Sequence, residues 1–150
     1  MEKLHKIMEV PIGKVQRHIT IEETGKGNLL CLDKYGGRLF RSDEGAVRKA
    51  IKTFEEDYIR ACCMFDEDPA HMYMATYNYN DLYSLLGILP TTFGDQFGYT
   101  NVDGYRTDDL QFKIELIDDY SSEFLGKINE PILVFEPEYG CYPNEFYREV

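Results

Sequence analysis

Apolar side chains recur at three- and four-residue steps through residues 43–65, and this spacing predicts a long amphipathic helix. The apolar stripe comprises Val47, Ile51, Phe54, Tyr58, Cys62 and Phe65, with Ala50 and Ala61 beside it. Ser42 or Asp43 can cap the first free amide groups of this helix. Pro69 favours an end before it, because a proline disfavours the helical conformation of the preceding residue.

Residues 14–41 alternate short apolar runs with turn residues, a pattern typical of strands joined by tight connections. The three strands predicted here cover residues 18–21, 29–32 and 38–40. Gly36 and Gly37 can adopt the positive φ angles that a tight hairpin turn requires. We therefore expect a small antiparallel meander in this part of the chain.

A second and shorter helix is predicted over residues 81–86. Asn80 is a suitable N-cap residue, and the carboxylate of Asp81 favours the positive end of a helix. Gly87 follows at the position where a left-handed residue closes many helices. The leucines expected to face the core are Leu82, Leu85 and Leu86.

Strands are predicted within residues 110–136, which complete an α+β fold. The apolar members of an alternating run, typical of a half-buried strand, are Leu110, Phe112, Ile114 and Leu116. A continuous apolar run at 132–135 predicts a second strand. The other segments are turn-rich (90–104), ambiguous between strand and loop (72–77) and tail-like (139–150). The predicted architecture is a single domain in which an antiparallel sheet packs against one long helix and one short helix.

A series of short motifs in residues 79–140 resembles a known group of proteins. The series is Asn80-Asp81-Leu82-Tyr83, Leu85-Leu86-Gly87-Ile88, Phe97-Gly98-Tyr99, Asp103-Gly104 and Asn129-Glu130-Pro131-Ile132-Leu133-Val134-Phe135. This order resembles the C-terminal half of small proteins of unknown function that bacteria, phages and mobile elements carry. The resemblance implies an origin of that kind and supplies no catalytic residues.

Charge is distributed unevenly along the chain, whose formal net charge is −11. Residues 1–60 hold 12 basic and 10 acidic side chains, whereas residues 61–150 hold 4 basic and 17 acidic ones. A field of one sign repels nucleic acid and anionic membranes and attracts basic surfaces. Direct nucleic-acid binding and membrane association are therefore not expected. Because charges interrupt the first ten residues and no apolar run is long enough to cross a bilayer, we expect a cytoplasmic protein.

No motif in the sequence identifies a cofactor or metal site. A phosphate-binding loop fails because Gly27 follows Gly25-Lys26 and Thr20 occupies the position of the upstream glycine. The three histidines are isolated from one another, so zinc ligation is not expected. We predict no cofactor and no metal.

The four cysteines are predicted to be reduced and mostly buried, because their spacing does not form a disulfide framework. An enzyme remains as an alternative through Cys62 or Cys63, with His71 nearby as a base. A thiol on an apolar helix stripe is more often inert packing than a nucleophile. We therefore predict a protein without catalytic activity.

These observations favour a small cytoplasmic accessory protein that binds another protein with a basic surface. The candidate contact residues are Asp108, Asp109, Asp118, Asp119, Glu136, Glu138, Tyr139 and Tyr142. Tyrosine supplies contact area at low entropic cost, and acidic neighbours steer a basic partner. The alternative for the tyrosines is a place in the core, with the acids serving solubility only. An acidic mimic of nucleic acid that inhibits a DNA- or RNA-binding protein is the second candidate function, and the oligomeric state stays open.

Overall fold

The structure, a computed structural model, describes residues 7–12, 15–23, 27–67, 76–101, 106–107, 110–122, 125–138 and 142–143. The helices are α1 (Glu44–Glu67), α2 (Tyr79–Leu86) and α3 (Thr92–Gln96). The strands are β1 (Ile7–Ile12), β2 (Val15–Glu23), β3 (Leu29–Asp33), β4 (Arg38–Ser42), β5 (Thr76–Asn78), β6 (Phe97–Thr100), β7 (Phe112–Ile117), β8 (Ser121–Ser122), β9 (Gly126–Lys127), β10 (Ile132–Pro137) and β11 (Tyr142–Pro143). The chain forms two compact units: a sheet unit of residues 1–48 and 112–136, and an aromatic unit of residues 49–111 and 137–150.

The six-stranded sheet has the strand order β1-β2-β4-β3-β10-β7. β3 pairs antiparallel with β4 and parallel with β10, while β2 pairs parallel with β4. The predicted meander of residues 14–41 is therefore wrong, because β4 lies between β2 and β3. The reason lies in β10, whose apolar run is buried on both faces and so belongs inside a sheet. β3 pairs with β4 on one side and with β10 on the other, so β2 pairs with the side of β4 that faces away from β3.

One face of this sheet carries a compact apolar cluster. Its buried members are Leu30, Leu32, Leu39, Ile132 and Val134, and the residues that pack on them are Ile117, Tyr120, Leu125 and Ile128. Because side chains alternate between faces, Phe40 and Phe135 lie on the opposite face, in edge-to-face contact at 6.2 Å between ring centroids. The strand predicted from the apolar run at 132–135 is confirmed, and its four residues are buried.

β7 follows the predicted alternation only at its start. Phe112 is buried and Ile114 is half-buried, but Leu116 is 49% exposed. The apolar face predicted from the alternation therefore does not stay buried as far as Leu116, and Ile117, from the other face of the strand, packs against the apolar cluster. The physical reason is that β7 is the last strand in the sheet order. Side chains on the same face of β7 therefore meet different neighbours at the start of the strand and at its end.

The long helix confirms the predicted stripe from Val47 to Cys62, and the Phe65 side chain lies outside the described part of the chain. Val47, Ile51, Phe54, Tyr58 and Cys62 are buried along one face of α1. The helix begins next to Asp43, whose carbonyl accepts the N–H of Val47 at 3.0 Å, and it runs two residues past the predicted end.

α2 begins earlier than the sequence suggested, at Tyr79. The N-cap residue is Asn78, and Asp81 completes a capping box with it, so the prediction of Asn80 as the cap is wrong. Asn80 lies inside the first turn. Gly87 closes the helix with φ of 76°, as predicted.

The buried face of α2 also differs from the prediction at one position. Tyr79, Leu82, Tyr83 and Leu86 are buried, whereas Leu85 is 45% exposed. The two tyrosines lie four residues apart and occupy the core side of the helix, which turns Leu85 toward solvent.

Residues 90–104 hold two elements that the turn-rich pattern did not predict, α3 and β6. The Thr91 side chain caps α3 by accepting the Gly94 N–H at 3.0 Å. The Asn80 side chain fixes Thr91 in turn, because it accepts the Thr91 N–H at 2.8 Å and donates to the Thr91 carbonyl at 3.0 Å. β6 is the middle strand of a second sheet, β11-β6-β5, and β11 lies within the predicted tail. Five-residue helices and two-residue strands are too short to leave a periodic signal.

The predicted α+β class is confirmed. In the described part of the chain one long and two short helices occur with sheets whose registered pairings are mostly antiparallel. The segment 72–77 ends in β5, and residues 68–75 lie outside the described residues.

Candidate functional site

A cavity of about 110 Å³ opens in the sheet unit at the neighbouring strands β7 and β10. It is lined by Lys34, Lys113, Glu115, Ile117, Tyr120, Val134 and Glu136. We call it the sheet-end cavity.

Strand alternation places these side chains together. Lys113, Glu115 and Ile117 are every second residue of β7, and Val134 and Glu136 stand in the same relation on β10. The N–H of Lys34, just after β3, donates to the Phe135 carbonyl at 3.0 Å and so brings the Lys34 side chain to β10. The cavity therefore has walls from three segments that are distant in sequence.

Two ion pairs form the rim of the sheet-end cavity. Lys113 Nζ lies 3.2 Å from Glu115 Oε1, and Lys34 Nζ lies 3.7 Å from Glu136 Oε1. The four side chains are between 39% and 61% exposed. Ion pairs this exposed contribute at most about 1 kcal/mol each, so they can exchange for a better partner.

The uncharged lining residues are Ile117, Val134 and Tyr120, and the Tyr120 hydroxyl is the polar group among their side chains. Burial raises the pKa of Tyr120, the negative charge of Glu136 raises it further, and a hydrogen bond with Ser122 lowers it in part. Tyr120 therefore stays neutral at physiological pH, within electrostatic reach of Glu136. The cavity combines two lysines, two carboxylates, an aromatic ring and two aliphatic side chains. When the two lysines turn into water, the remaining groups suit a cation with an apolar stem.

The structure brings three of the sequence-predicted contact residues into the sheet unit. Asp118 and Asp119 are exposed at a bend directly after β7, and neither forms an ion pair with a described residue. Glu136 lines the sheet-end cavity.

The other predicted contact residues do not join them in one described site. Glu138 is exposed in the aromatic unit, and its N–H donates to the Gln111 carbonyl at 2.9 Å. The backbone of Tyr142 pairs with Gly98. Asp108, Asp109 and Tyr139 lie outside the described residues.

Most tyrosines whose side chains are described belong to the core. Tyr58, Tyr79, Tyr83 and Tyr99 are fully buried in the aromatic unit. Their rings meet edge to face, for example at 5.9 Å between the centroids of Tyr58 and Tyr99. The core interpretation therefore explains these residues, and the aromatic content of the sequence does not by itself indicate a contact surface.

A second cavity, also of about 110 Å³, lies in the aromatic unit. Its lining consists of Tyr58, Ile59, Cys62, Cys63, Asp66, Arg106 and Thr107. Arg106 holds Asp66 through two hydrogen bonds of 2.7 and 3.0 Å, and this contact lowers the pKa of the Asp66 carboxyl. A carboxylate held in this way is a poor base for the neighbouring thiols. His71, the base considered from the sequence, lies outside the described residues.

The described residues contain no cluster of three or more histidine, cysteine or acidic side chains that could hold a metal ion. None of the helices in that part of the chain combines the length and apolar character that a bilayer crossing requires. No protein-family model, curated protein or solved structure matches the chain.

Sequence reasoning found Glu136 but missed the other residues of the sheet-end cavity. The alternation in β7 marked Lys113 and Glu115 as the polar face of a strand, which is a usable signal. The neighbour relation between β7 and β10 is not visible in either segment alone. Without it, nothing connects Lys113 and Glu115 to Glu136 or Lys34.

Proposed function

We propose that this chain is an accessory protein that binds another protein with a basic surface through the β7 end of the six-stranded sheet. The observation that carries the proposal is the composition of that end. Leu116 is 49% exposed on β7, and the exposed Asp118 and Asp119 follow directly after the strand. An exposed apolar side chain beside acids that form no ion pair with a described residue supplies both contact area and electrostatic steering.

The position of β7 in the sheet supports this proposal. Among the described strands β7 has one neighbour, β10, and is the last strand in the order. A strand at a sheet edge presents backbone N–H and C=O groups with which a partner can pair. The net charge of −11 adds long-range attraction for a basic partner. A cytoplasmic location and an origin in a bacterium, phage or mobile element are parts of the same proposal.

An acidic mimic of nucleic acid is the second candidate, favoured by the 17 acidic residues against 4 basic ones in residues 61–150. The two functions differ in their response to competitors and to salt. A mimic is displaced by DNA or RNA, and its affinity falls steeply with ionic strength. A partner held through β7 and Leu116 is not displaced by nucleic acid.

The test is capture of the partner from the native host, followed by binding measurements with matched variants. In one variant Asp118 and Asp119 become Asn, and in the control Glu56 and Glu67 on α1 become Gln. Both variants change the net charge by the same amount, and all four side chains are exposed. The proposal expects weaker binding and a smaller salt dependence for Asp118→Asn/Asp119→Asn only.

Equal affinity of this variant and the wild type at low salt would contradict the proposal. A third variant with Asp108→Asn and Asp109→Asn then shows whether the contact lies at the other predicted acidic pair. Competition by a DNA or RNA duplex would favour the mimic.

A further inference from the structure

We infer that the sheet-end cavity receives one arginine side chain of the basic partner. This inference rests on the proposed function and specifies its chemistry. The cavity lies on β7 and β10, and Asp118 and Asp119 follow β7 directly, so a cation drawn to those acids arrives beside it.

The carboxylates in the cavity favour a guanidinium over an ammonium. Glu115 and Glu136 come from different strands, so a ligand between them meets two acceptors with several lone pairs. A guanidinium offers five N–H donors in a planar fork and can bond both carboxylates, whereas an ammonium acts as a point charge.

The apolar lining suits the remainder of an arginine side chain. Ile117 and Val134 offer aliphatic surface for its methylene stem, since both belong to the apolar cluster or pack on it. The ring of Tyr120 can stack on the guanidinium plane, which adds a cation–π contact.

The two lysines of the cavity hold its carboxylates in the free protein and do not prevent binding. Lys34 and Lys113 are 53% and 61% exposed, so each can swing into water when a guanidinium takes its place. The two ammonium groups and the two carboxylates of the lining balance in formal charge, so the acids that set the sign of a ligand are Asp118 and Asp119, which lie between the lining residues Ile117 and Tyr120. The charges therefore favour a cation.

The test is an NMR titration of the full chain with N-acetyl-arginine amide. We expect saturable shifts at the methyl groups of Ile117 and Val134 and at the ring of Tyr120. The citrulline analogue, which has the same shape without charge, should leave these signals in place. The lysine analogue should bind at least several-fold more weakly, because it lacks the planar fork.

The matched variants are Glu115→Gln/Glu136→Gln and the control Glu44→Gln. Glu44 is an exposed glutamate of the same unit that pairs with Arg48 at 2.9 Å and does not line the cavity. The double variant should lower the affinity for N-acetyl-arginine amide about tenfold, and the control should not change it. Unchanged signals elsewhere in the spectrum show that both variants fold.

Three results would overturn the inference: equal binding of the citrulline analogue, binding of N-acetyl-glutamate amide at the cavity, or shifts that do not map to Ile117, Val134 and Tyr120. The outcome is separable from that of the proposed function. If the cavity binds the arginine probe but the affinity for the partner does not depend on Asp118 and Asp119, only the proposed function fails. If the partner depends on those acids but the probe does not bind, only the cavity assignment fails.

Discussion

The two units use tyrosine in opposite ways. In the aromatic unit Tyr58, Tyr79, Tyr83 and Tyr99 are fully buried among one another and among phenylalanines. In the sheet unit Tyr120 is half-buried and lines a cavity with charged walls. The difference shows that four tyrosines fill the core of the aromatic unit, whereas Tyr120 lies at the edge of the apolar cluster of the sheet unit.

The physical reason is the material that each unit has available for its core. The main apolar cluster of the sheet unit consists of buried aliphatic residues, and the partly buried Tyr120 packs against it from the outside. The aromatic unit has short strands and short helices, and its large rings fill the space between them. Substitutions in the aromatic unit should therefore affect stability, and substitutions around Tyr120 should affect binding.

The largest expected effect is that of Phe54→Ala in the aromatic unit. Phe54 is 1% exposed and lies edge to face with Tyr77 and Tyr99. Its truncation should lower the free energy of unfolding by about 3–5 kcal/mol. Met64→Ala on the same helix, at a side chain that is 47% exposed, should cost less than about 1 kcal/mol. Chemical denaturation measures both, and similar costs for the two variants would contradict the buried stripe.

Tyr58→Phe should have a smaller effect on stability. The Tyr58 hydroxyl donates to the Thr100 carbonyl at 2.8 Å and accepts the Thr107 N–H at 2.7 Å. Removal of this hydroxyl leaves both backbone groups without that partner, at a cost of about 1–3 kcal/mol. Tyr77→Phe is the control, since no described residue hydrogen-bonds to the Tyr77 hydroxyl. Equal stability of Tyr58→Phe and wild type in urea would show that the hydroxyl does not bridge these groups.

Alkaline pH should destabilise the sheet unit through Cys31. Burial raises the pKa of the Cys31 thiol from 9.0 to about 12, and a hydrogen bond with Ser42 lowers it in part. The folded state then keeps a proton that the unfolded state loses, so stability is complete below pH 9 and declines as the pH rises toward 12. Between pH 8 and pH 10 the loss should be about 1 kcal/mol.

Urea titrations at the two pH values measure this loss. Cys31→Ala should remove most of it, whereas Cys63→Ala, at an exposed thiol, should leave it unchanged. A pH dependence that persists in Cys31→Ala would assign the effect to another group.

The smallest expected effect concerns the pKa of Tyr120. Glu136→Gln removes the negative charge that helps to raise this pKa, so the pKa should fall toward its ordinary value while burial keeps it elevated. An NMR pH titration of the Tyr120 ring gives the answer, with Glu44→Gln as the control. If the pKa of Tyr120 does not change in Glu136→Gln, then Glu136 lies too far from the Tyr120 hydroxyl for both groups to contact one ligand.

Local sequence patterns predicted the elements that are long or that end at a residue with a particular backbone preference, such as glycine. The α1 stripe, the buried run of β10 and the left-handed Gly87 each follow from residues that are close in sequence. β6 and α3 did not, because a five-residue helix leads directly into a four-residue strand with no periodic signal. On α2, Tyr79 and Tyr83 are buried and the predicted core residue Leu85 is exposed. This difference depends on tertiary packing, which no local pattern encodes.

The candidate site could be predicted only in part, for a related reason. Asp118 and Asp119 are exposed, as an acidic pair after a strand should be. The sheet-end cavity depends on the long-range pairings of β3 with β10 and of β10 with β7. Those pairings join Lys34 to Glu136 across about one hundred residues of chain, a separation over which sequence patterns carry no information on contact.

The most direct test of partner binding at the sheet end is a comparison of association and dissociation rates. The captured partner would be measured by surface plasmon resonance against wild type, Asp118→Asn/Asp119→Asn and Glu115→Gln/Glu136→Gln at two salt concentrations. The account predicts that the first variant slows association and loses salt dependence, because rim charges act on encounter. The second should speed dissociation about tenfold, because it removes the carboxylates that hold the bound arginine. Wild-type rates for both variants would contradict binding at the β7 end of the sheet.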